Sequence, residues 1–292
     1  MSQPGLFDLS ERHKKLNEKD PLTHLNALID WESFRPVLNQ LRSKKKKKAG
    51  RPSYDLVMMF KILVLQSLYN VSDDEIEYQI RDRYSFCRFL GLMPEDKVPD
   101  AKTVWLFREK LTVAGLIKEV FHDFDIQLQS KGFVARKGQI VDASFVEAPK
   151  QRNTREENAL IKSGEIPDSF LDNPNKAQQK DTDARWAKKN NEVHFGYKNH
   201  IAIDNQHKMV REFEVTSAEV HDSNVFMELL TENSSADVWA DSAYYSDDSE
   251  IGLYASGYRS HVHKKGKRNK PMSEKQQEIN TRKSRIRARV EH

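Results

Sequence analysis

Apolar residues in this chain recur at helical spacing up to about Gln129 and then, past Gly132, begin to alternate with polar ones. A helix returns to the same face every 3.6 residues and a strand every two, so no segment satisfies both patterns. Two differently layered bodies are therefore expected: helices packed on helices, then a sheet with its own helices. Lys44 to Lys48, followed by Ala49-Gly50-Arg51-Pro52, is a charge run ending in helix breakers. It reads as the boundary between a flexible basic arm over residues 1–49 and a helical module over 50–131. In that module Leu56, Met59, Phe60, Leu63, Val64 and Ser67 lie on one helical face, with Ser53 expected to cap it. Ser72-Asp73-Asp74-Glu75 is a capping box opening a second helix. Tyr84 to Leu90 predicts a third, stopped by Gly91 and Pro94. Asp100 is expected to cap a further helix, and a last one runs toward Gln129.

The second half, 132–292, predicts strands over Gly138 to Val146, His194 to Ile203 and Met209 to Thr216. A helix capped by Asp222 follows, then a strand from Ala236 to Ala243. Asp247 opens a helix ending near Gly257, Tyr258 to Val262 is a short strand, and Ser273 to His292 is a final helix. Three strands, helix, strand, helix, strand, helix is the order of a ribonuclease-H-like α/β domain, a mixed sheet flanked by helices. The polar stretch 148–193, rich in Asn, Gln and Lys, reads as an insertion interrupting the first hairpin, a loop that orders on DNA.

With 292 residues and 37% hydrophobic content the chain can hold two ordinary domains with real cores. Its one cysteine, Cys87, excludes an intramolecular disulfide and reads as a small buried hydrophobe. The N-terminus has no uninterrupted apolar signal region, and Leu56 to Tyr69 is too short to span a bilayer. No membrane association and a cytoplasmic location are expected. Net charge is +4, but residues 1–49 carry +5 and 261–292 carry +8, leaving −9 for the middle. Such asymmetry suits ends that touch a polyanion and a centre that holds carboxylates.

Two aspartates stand out in that centre: Asp142 in GQIVDASFVEA and Asp241 in SADVWADSAYYS. A carboxylate in an apolar strand is costly to desolvate unless a partner, a proton or a metal compensates it. In the expected topology both lie on adjacent central strands, and Glu291, on the last helix, is presented across them. Three hard oxygen ligands that leave positions open suit two Mg²⁺ or Mn²⁺ ions, the arrangement of two-metal phosphoryl transfer.

Spacing alone, 99 and 50 residues between the three acids, is common enough to be weak. The wording around them is specific: IVDASFVEAP, HFGYKNHIAID, TSAEVHDS, VWADSAYYS and RIRARVEH, in this order, resemble the DDE transposases of bacterial insertion sequences, the IS-five family in particular. GRPSYDLVMMFKILVLQSLYNVSDDEIEYQI and RYSFCRFLGL resemble that family's N-terminal domain, so the likeness covers about 50–292. It implies that Asp142, Asp241 and Glu291 form a metal-binding catalytic triad that hydrolyses DNA at terminal inverted repeats and joins the ends to target DNA. No covalent protein intermediate is implied. Arg287 matches the arginine of the family's Tyr-Arg-Glu signature and would hold a scissile phosphate or orient the glutamate. The tyrosine position falls on Ser284, so its role does not carry over. Relatives continue past this helix, which implies a catalytic region cut short near Glu291 and weak or absent activity. The resemblance also implies double-stranded DNA as partner, and a homodimer or larger synaptic assembly.

The remaining basic residues divide by what they would touch. In the helical module Lys102, Thr103, Arg108 and Lys110 lie on a candidate recognition helix, and a helical bundle used for dimerisation fits the pattern as well. Lys264, Lys265, Arg285 and neighbouring cations are expected phosphate contacts, as is Lys198 in HFGYK. Tyr197 stacks on a base or packs at an edge, and Trp186 wedges into distorted DNA or anchors the long loop. His194, His200 and His221 match no zinc spacing, and His261 with His263 make only two ligands on one face. No phosphate cradle of the nucleotide-binding kind is present, so no ATP requirement is expected. A silent DNA-binding remnant and a structure-selective nuclease on the same scaffold are the competing readings.

Overall fold

The computed structural model describes residues 18–42, 53–93, 95–189, 191–266 and 271–290. The chain divides into two compact units, Met1–Gly132 and Phe133–His292. Among the described residues no single helix is long and apolar enough to cross a membrane.

The first unit is helical. Helices α1 (Pro21–Leu28), α2 (Arg35–Leu38), α3 (Leu56–Tyr69), α4 (Asp73–Asp82), α5 (Tyr84–Leu90), α6 (Ala101–Val113) and α7 (Ile117–Ser130) surround one core. Ile62, Leu65, Ile76, Ile80 and Phe86 are sealed at its centre. The flexible arm expected over 1–49 needs correction for residues 18–42. Leu22, Trp31, Phe34 and Leu38 are buried in that same core. Asp20 caps α1 by accepting from the Leu22 N–H, Pro21 opens the helix, and Asp20 pairs with Arg88 of α5. Trp31 packs edge-on against Phe89 at 5.4 Å, and Lys61 lies 5.1 Å above both rings. The lysine run at 44–48 lies outside the described residues. The cap of α3 is Asp55 and not Ser53. Residues 53–55 are not yet helical, and a cap must directly precede the first helical residue to reach its N–H groups. Asp55 accepts from Val57 and Met58 at 3.0 Å and pairs with Arg35 at 2.7 Å.

The second unit is a six-stranded mixed sheet with helices on its faces. Strands β1 (Gln139–Glu147), β2 (Arg185–Lys189), β3 (Glu192–Asp204), β4 (Val210–Ser217), β5 (Asp237–Ala240) and β6 (Arg259–Ser260) are ordered β2-β3-β1-β5-β6, with β4 also on β3. β1, β2 and β4 run antiparallel to β3, whereas β5 is parallel to β1 and β6 parallel to β5. Alternation assigns the two faces. Val141, Ala202, Val238 and Ala240 face a core with Phe226, Leu229 and Leu253 of helix Asp247–Ala255. Ile140, Ile201, Ile203 and Trp239 face the other way, under Ile286 and Val290 at the C-terminal end. The β3–β4 turn is held by Asp204 and Arg211, both sealed from solvent and 3.0 Å apart. Arg211 also donates to the Phe133 carbonyl at 2.6 Å.

Two sequence expectations are corrected here. The helix expected from Asp222 is a pair of 3-10 turns, Asp222–Asn224 and Met227–Leu229, because Phe226 and Leu229 are drawn into the core before a full helical turn forms. The insertion over 148–193 is not a plain loop, since it carries α8 (Arg155–Ser163), α9 (Asp168–Leu171), α10 (Pro174–Gln178) and β2. Thr154 and Glu157 form a reciprocal capping box on α8, and Ile161, Phe170 and Ala184 are its buried anchors. Glu157 also accepts from Ser169 and from Lys176, so one carboxylate ties the three short helices together. Trp186 rests on Phe195 at 4.9 Å and stays half exposed. At its base Gly196 adopts φ +145, and a side chain there would strike the Val146 carbonyl and the Ala148 nitrogen.

Candidate active site

Asp142 and Asp241 meet because of strand register. Val141 pairs with Ala240 across the parallel β1/β5 ladder, and each aspartate is the next residue. The two carboxylates therefore stand at one level on neighbouring strands, whose backbones run about 4.8 Å apart. Alternation places both on the Ile140/Trp239 face. β5 ends at Ala240 because Asp241 turns to cap the 3-10 segment Ser242–Tyr244, its carboxylate accepting from the Ala243 N–H. Asp142 accepts from its neighbour's N–H, that of Ala143, at 3.0 Å. Burial raises the Asp142 carboxyl above its ordinary range and the Asp241 charge adds to the rise, against the Ala143 N–H, Arg287 and Lys189. Two partly buried carboxylates in this relation form an electron-rich oxygen site short of positive charge.

Helix α12 (Glu274–Arg287, following α11, Asp247–Ala255) closes this face. It is a polar helix held mainly by hydrogen bonds. Asn280 bonds both the N–H and the carbonyl of Lys264 at 3.2 and 2.9 Å, and Lys283 donates to the Val262 carbonyl at 2.8 Å. Ser284 and Arg287 both reach His263. Positions 280, 283, 284 and 287 share one face of a helix, and this face is fastened to the segment that prolongs β6. That segment continues the sheet, with His261 and His263 donating their N–H groups to Val238 and Ala240. Arg287 is thereby brought to the edge of the carboxylate pair. Its charge is the largest side-chain influence holding the Asp142 pKa down.

On the opposite face, Tyr244 lies behind the aspartates. Its hydroxyl is 3.3 Å from His200 Nδ1, and His200 Nε2 is 3.0 Å from Thr216 Oγ1. Burial and the charges of Asp222, Asp142 and Asp241 push the Tyr244 pKa well above the phenol range, so the hydroxyl stays protonated. Burial lowers the His200 pKa and favours its neutral form.

Of the residues singled out in the sequence, Asp142, Asp241 and Arg287 come together, while Glu291 lies outside the described residues. Lys102, Lys264, Lys265 and Arg285 are exposed. Two residues expected to contact DNA have partners within the chain. Lys198 is partly buried in an ion pair with Asp222 at 2.8 Å and donates to the Val220 carbonyl at 2.7 Å. Arg108 pairs with Asp73 and donates to Gln66 at 2.9 Å, joining α6 to α3 and α4. Tyr197 donates to Asp181 at 2.6 Å and so belongs to the excursion. Two further residues beside the aspartates are Tyr244, which the pattern did not single out, and His263, which it offered only as a metal ligand. The signal for His263 was its alternation with His261 on a strand, and for Tyr244 its position three residues beyond Asp241.

The donor chemistry fits a hard divalent cation: carboxylate oxygens, no thiol, and a local excess of negative charge. Among the described residues no group of three His, Cys, Asp or Glu side chains is arranged as a metal cage. Asp142 and Asp241 alone would leave most of a six-oxygen shell to water and phosphate.

Two comparisons bear on these residues. A family model described as "Transposase DDE domain" matches residues 135–292, and one described as "Transposase domain (DUF772)" matches residues 10–110. No solved structure matches the chain.

Proposed function

Since the chain belongs to the family that carries the transposase DDE domain, we propose that it cuts the terminal inverted repeats of an insertion sequence of the IS-five kind and joins them to target DNA. DNA transposition, with DNA as substrate, is the activity of that family, and its members generally use divalent metal ions. The finer reading rests on one observation, the register that sets Asp142 and Asp241 side by side on parallel strands.

In this reading Asp142 and Asp241 would hold Mg²⁺ or Mn²⁺, with Glu291 as the third carboxylate. Such ions activate a water or 3′-hydroxyl and offset charge on the leaving oxygen. The chain's own residues do the rest. Neighbouring strands hold the two carboxylates at a fixed separation, so their repulsion is in place before any cation arrives. Arg287 supplies a planar cation at the rim, suited to a phosphodiester that must lie between carboxylates without being repelled. Tyr244 and His200 support the sheet from behind and stay neutral, which leaves the negative charge on the aspartates. The mixed sheet with helices on both faces supports reading the second unit as a ribonuclease-H-like catalytic domain, and the first unit is read as the one that grips DNA.

The test uses supercoiled plasmid bearing the inverted repeats that flank the gene. Mg²⁺-dependent nicking at the repeat ends is expected, reduced about 100- to 1000-fold in Asp142→Asn and Asp241→Asn. Binding to the repeats, by mobility shift, should stay within about twofold of wild type, since phosphate grip lies elsewhere. Nicking by Asp142→Asn at the wild-type rate would sink this assignment.

A further inference from the structure

Of the two cations that α12 turns toward this segment, Lys283 is spent on the Val262 carbonyl, whereas Arg287 reaches the His263 ring, and the geometry of that contact fixes its chemistry. Arg287 Nη1 and His263 Nδ1 are 3.3 Å apart. A guanidinium has five N–H donors and no acceptor, so the bond forms only if Nδ1 offers its lone pair. His263 must therefore be neutral with its proton on Nε2, where Ser284 Oγ stands at 3.5 Å. The imidazole is half-buried, and burial followed by the Arg287 charge lowers its pKa, in keeping with that neutral form. Its backbone is pinned at the same time by its N–H bond to Ala240, the residue before Asp241, at 3.1 Å. The Asn280 and Lys283 bonds to its two neighbours prevent the segment from sliding along α12.

We propose that His263 is a positioning residue for phosphodiester cleavage: its Nδ1 holds the Arg287 guanidinium in one orientation, leaving the remaining N–H groups free to grip the scissile phosphate beside Asp142 and Asp241. The inference rests on the reading of those aspartates as the cleavage site. A long arginine side chain loses considerable rotamer entropy when ordered, and a fixed acceptor supplies that order before DNA arrives. Ser284 adds a second, weaker tether on the far side of the ring. The serine and the histidine together make a polar shelf on which Arg287 rests, built from a strand end and a helix that lie more than twenty residues apart in sequence.

Substitutions at His263 separate this role from simple packing. Asparagine places a carbonyl oxygen near the position of Nδ1, glutamine places its polar atoms farther out, and leucine fills similar space with no acceptor. In the full chain, His263→Leu should slow single-turnover nicking about 10- to 100-fold at saturating DNA, the range that a misplaced contact causes. His263→Asn should recover most of that rate, and His263→Gln should not. Repeat binding should change little, because Arg287 is one phosphate contact among many. Wild-type cleavage by His263→Leu, or a His263→Asn variant as slow as His263→Leu, overturns the proposal. Nitrogen NMR of histidine-labelled full chain without metal reads the contact directly. The expected signature is a neutral ring protonated on Nε2, with the Nδ1 resonance moving in Arg287→Gln. A proton on Nδ1, or no movement in Arg287→Gln, also overturns it. Should wild type show no cleavage that depends on Asp142, the functional reading fails on its own, and the NMR result still decides whether His263 holds Arg287.

Discussion

At the scale of single residues, the carboxylate pair carries a stability cost that follows from its electrostatics. Burial raises the Asp142 pKa from an ordinary 3.8, and Asp241 raises it further. The native state then holds that proton more tightly than the unfolded chain. The stabilising contribution is complete below the ordinary value and is lost as pH rises through the native one, so at neutral pH the ionised side chain opposes folding. Asp142→Asn should accordingly melt at a higher temperature than wild type in EDTA at neutral pH, a difference that shrinks as pH falls toward the ordinary carboxyl range. Mg²⁺ should raise the melting temperature of wild type and leave Asp142→Asn nearly unmoved; equal melting of the two in EDTA would contradict this account. The aspartates were legible in the sequence because a carboxylate inside a β-leaning apolar run is rare without a purpose. His263 was not, because its role exists only once α12 lies across the strand. The partners of Lys198 and Arg108 were hidden for a related reason. Whether a basic side chain is free depends on a countercharge, here Asp222 and Asp73, that sequence spacing does not bring near.

Among elements, the excursion between β1 and β3 is the part where pattern and structure diverge most. Its polar composition hides three short helices, because they bury two residues, one and none in turn and the binding is done by Glu157. Lys176 first, then Ser169 and the Thr154 N–H, push the Glu157 pKa down to about 2 from 4.5. A depressed carboxyl pKa gives stability that is present above the ordinary value and lost as pH falls toward the native one. Glu157→Gln should therefore mimic acid at neutral pH, with tryptic cleavage between 155 and 178 several-fold faster than in wild type and the sheet's circular dichroism unchanged. Protection equal to wild type would show that the apolar anchors alone hold the excursion. The helices of the first unit were easier to read where caps and periodicity agree, as at Ser72 and Asp100. Residues 21–41 escaped because their turns are too short for a periodic signal, although Trp31 and Phe34 are core residues.

For the whole molecule, the uneven charge of the chain becomes a prediction about DNA. A protein that neutralises phosphates releases counterions, so affinity falls with salt along a log–log line whose slope counts the contacts. Repeat binding should weaken steeply between about 50 and 200 mM salt, and replacing Lys264, Lys265, Arg285 or Lys102 with glutamine should flatten the slope by about 0.9 each. The same change at Lys198 should leave the slope alone, since that cation is already paired; a salt-independent affinity would remove the electrostatic reading altogether. The division of the chain into a helical body and a sheet body was readable from the change of period at Gly132. The crossing of α12 over the carboxylates was not, since it rests on hydrogen bonds to a strand end and leaves no apolar stripe. One arrangement described above reaches further. The excursion leaves β1 at Glu147, and the ladder pairs Glu147 with Gly196, so its two roots are bonded to each other, while Asp142 pairs with Ile201 five rungs along. The loop of chain is closed off at its own base, like a branch grafted to a trunk. A lineage can lengthen, shorten or resurface residues 148–193 without disturbing the register that aligns the aspartates, so inherited variation and inherited chemistry occupy separate ends of the same hairpin.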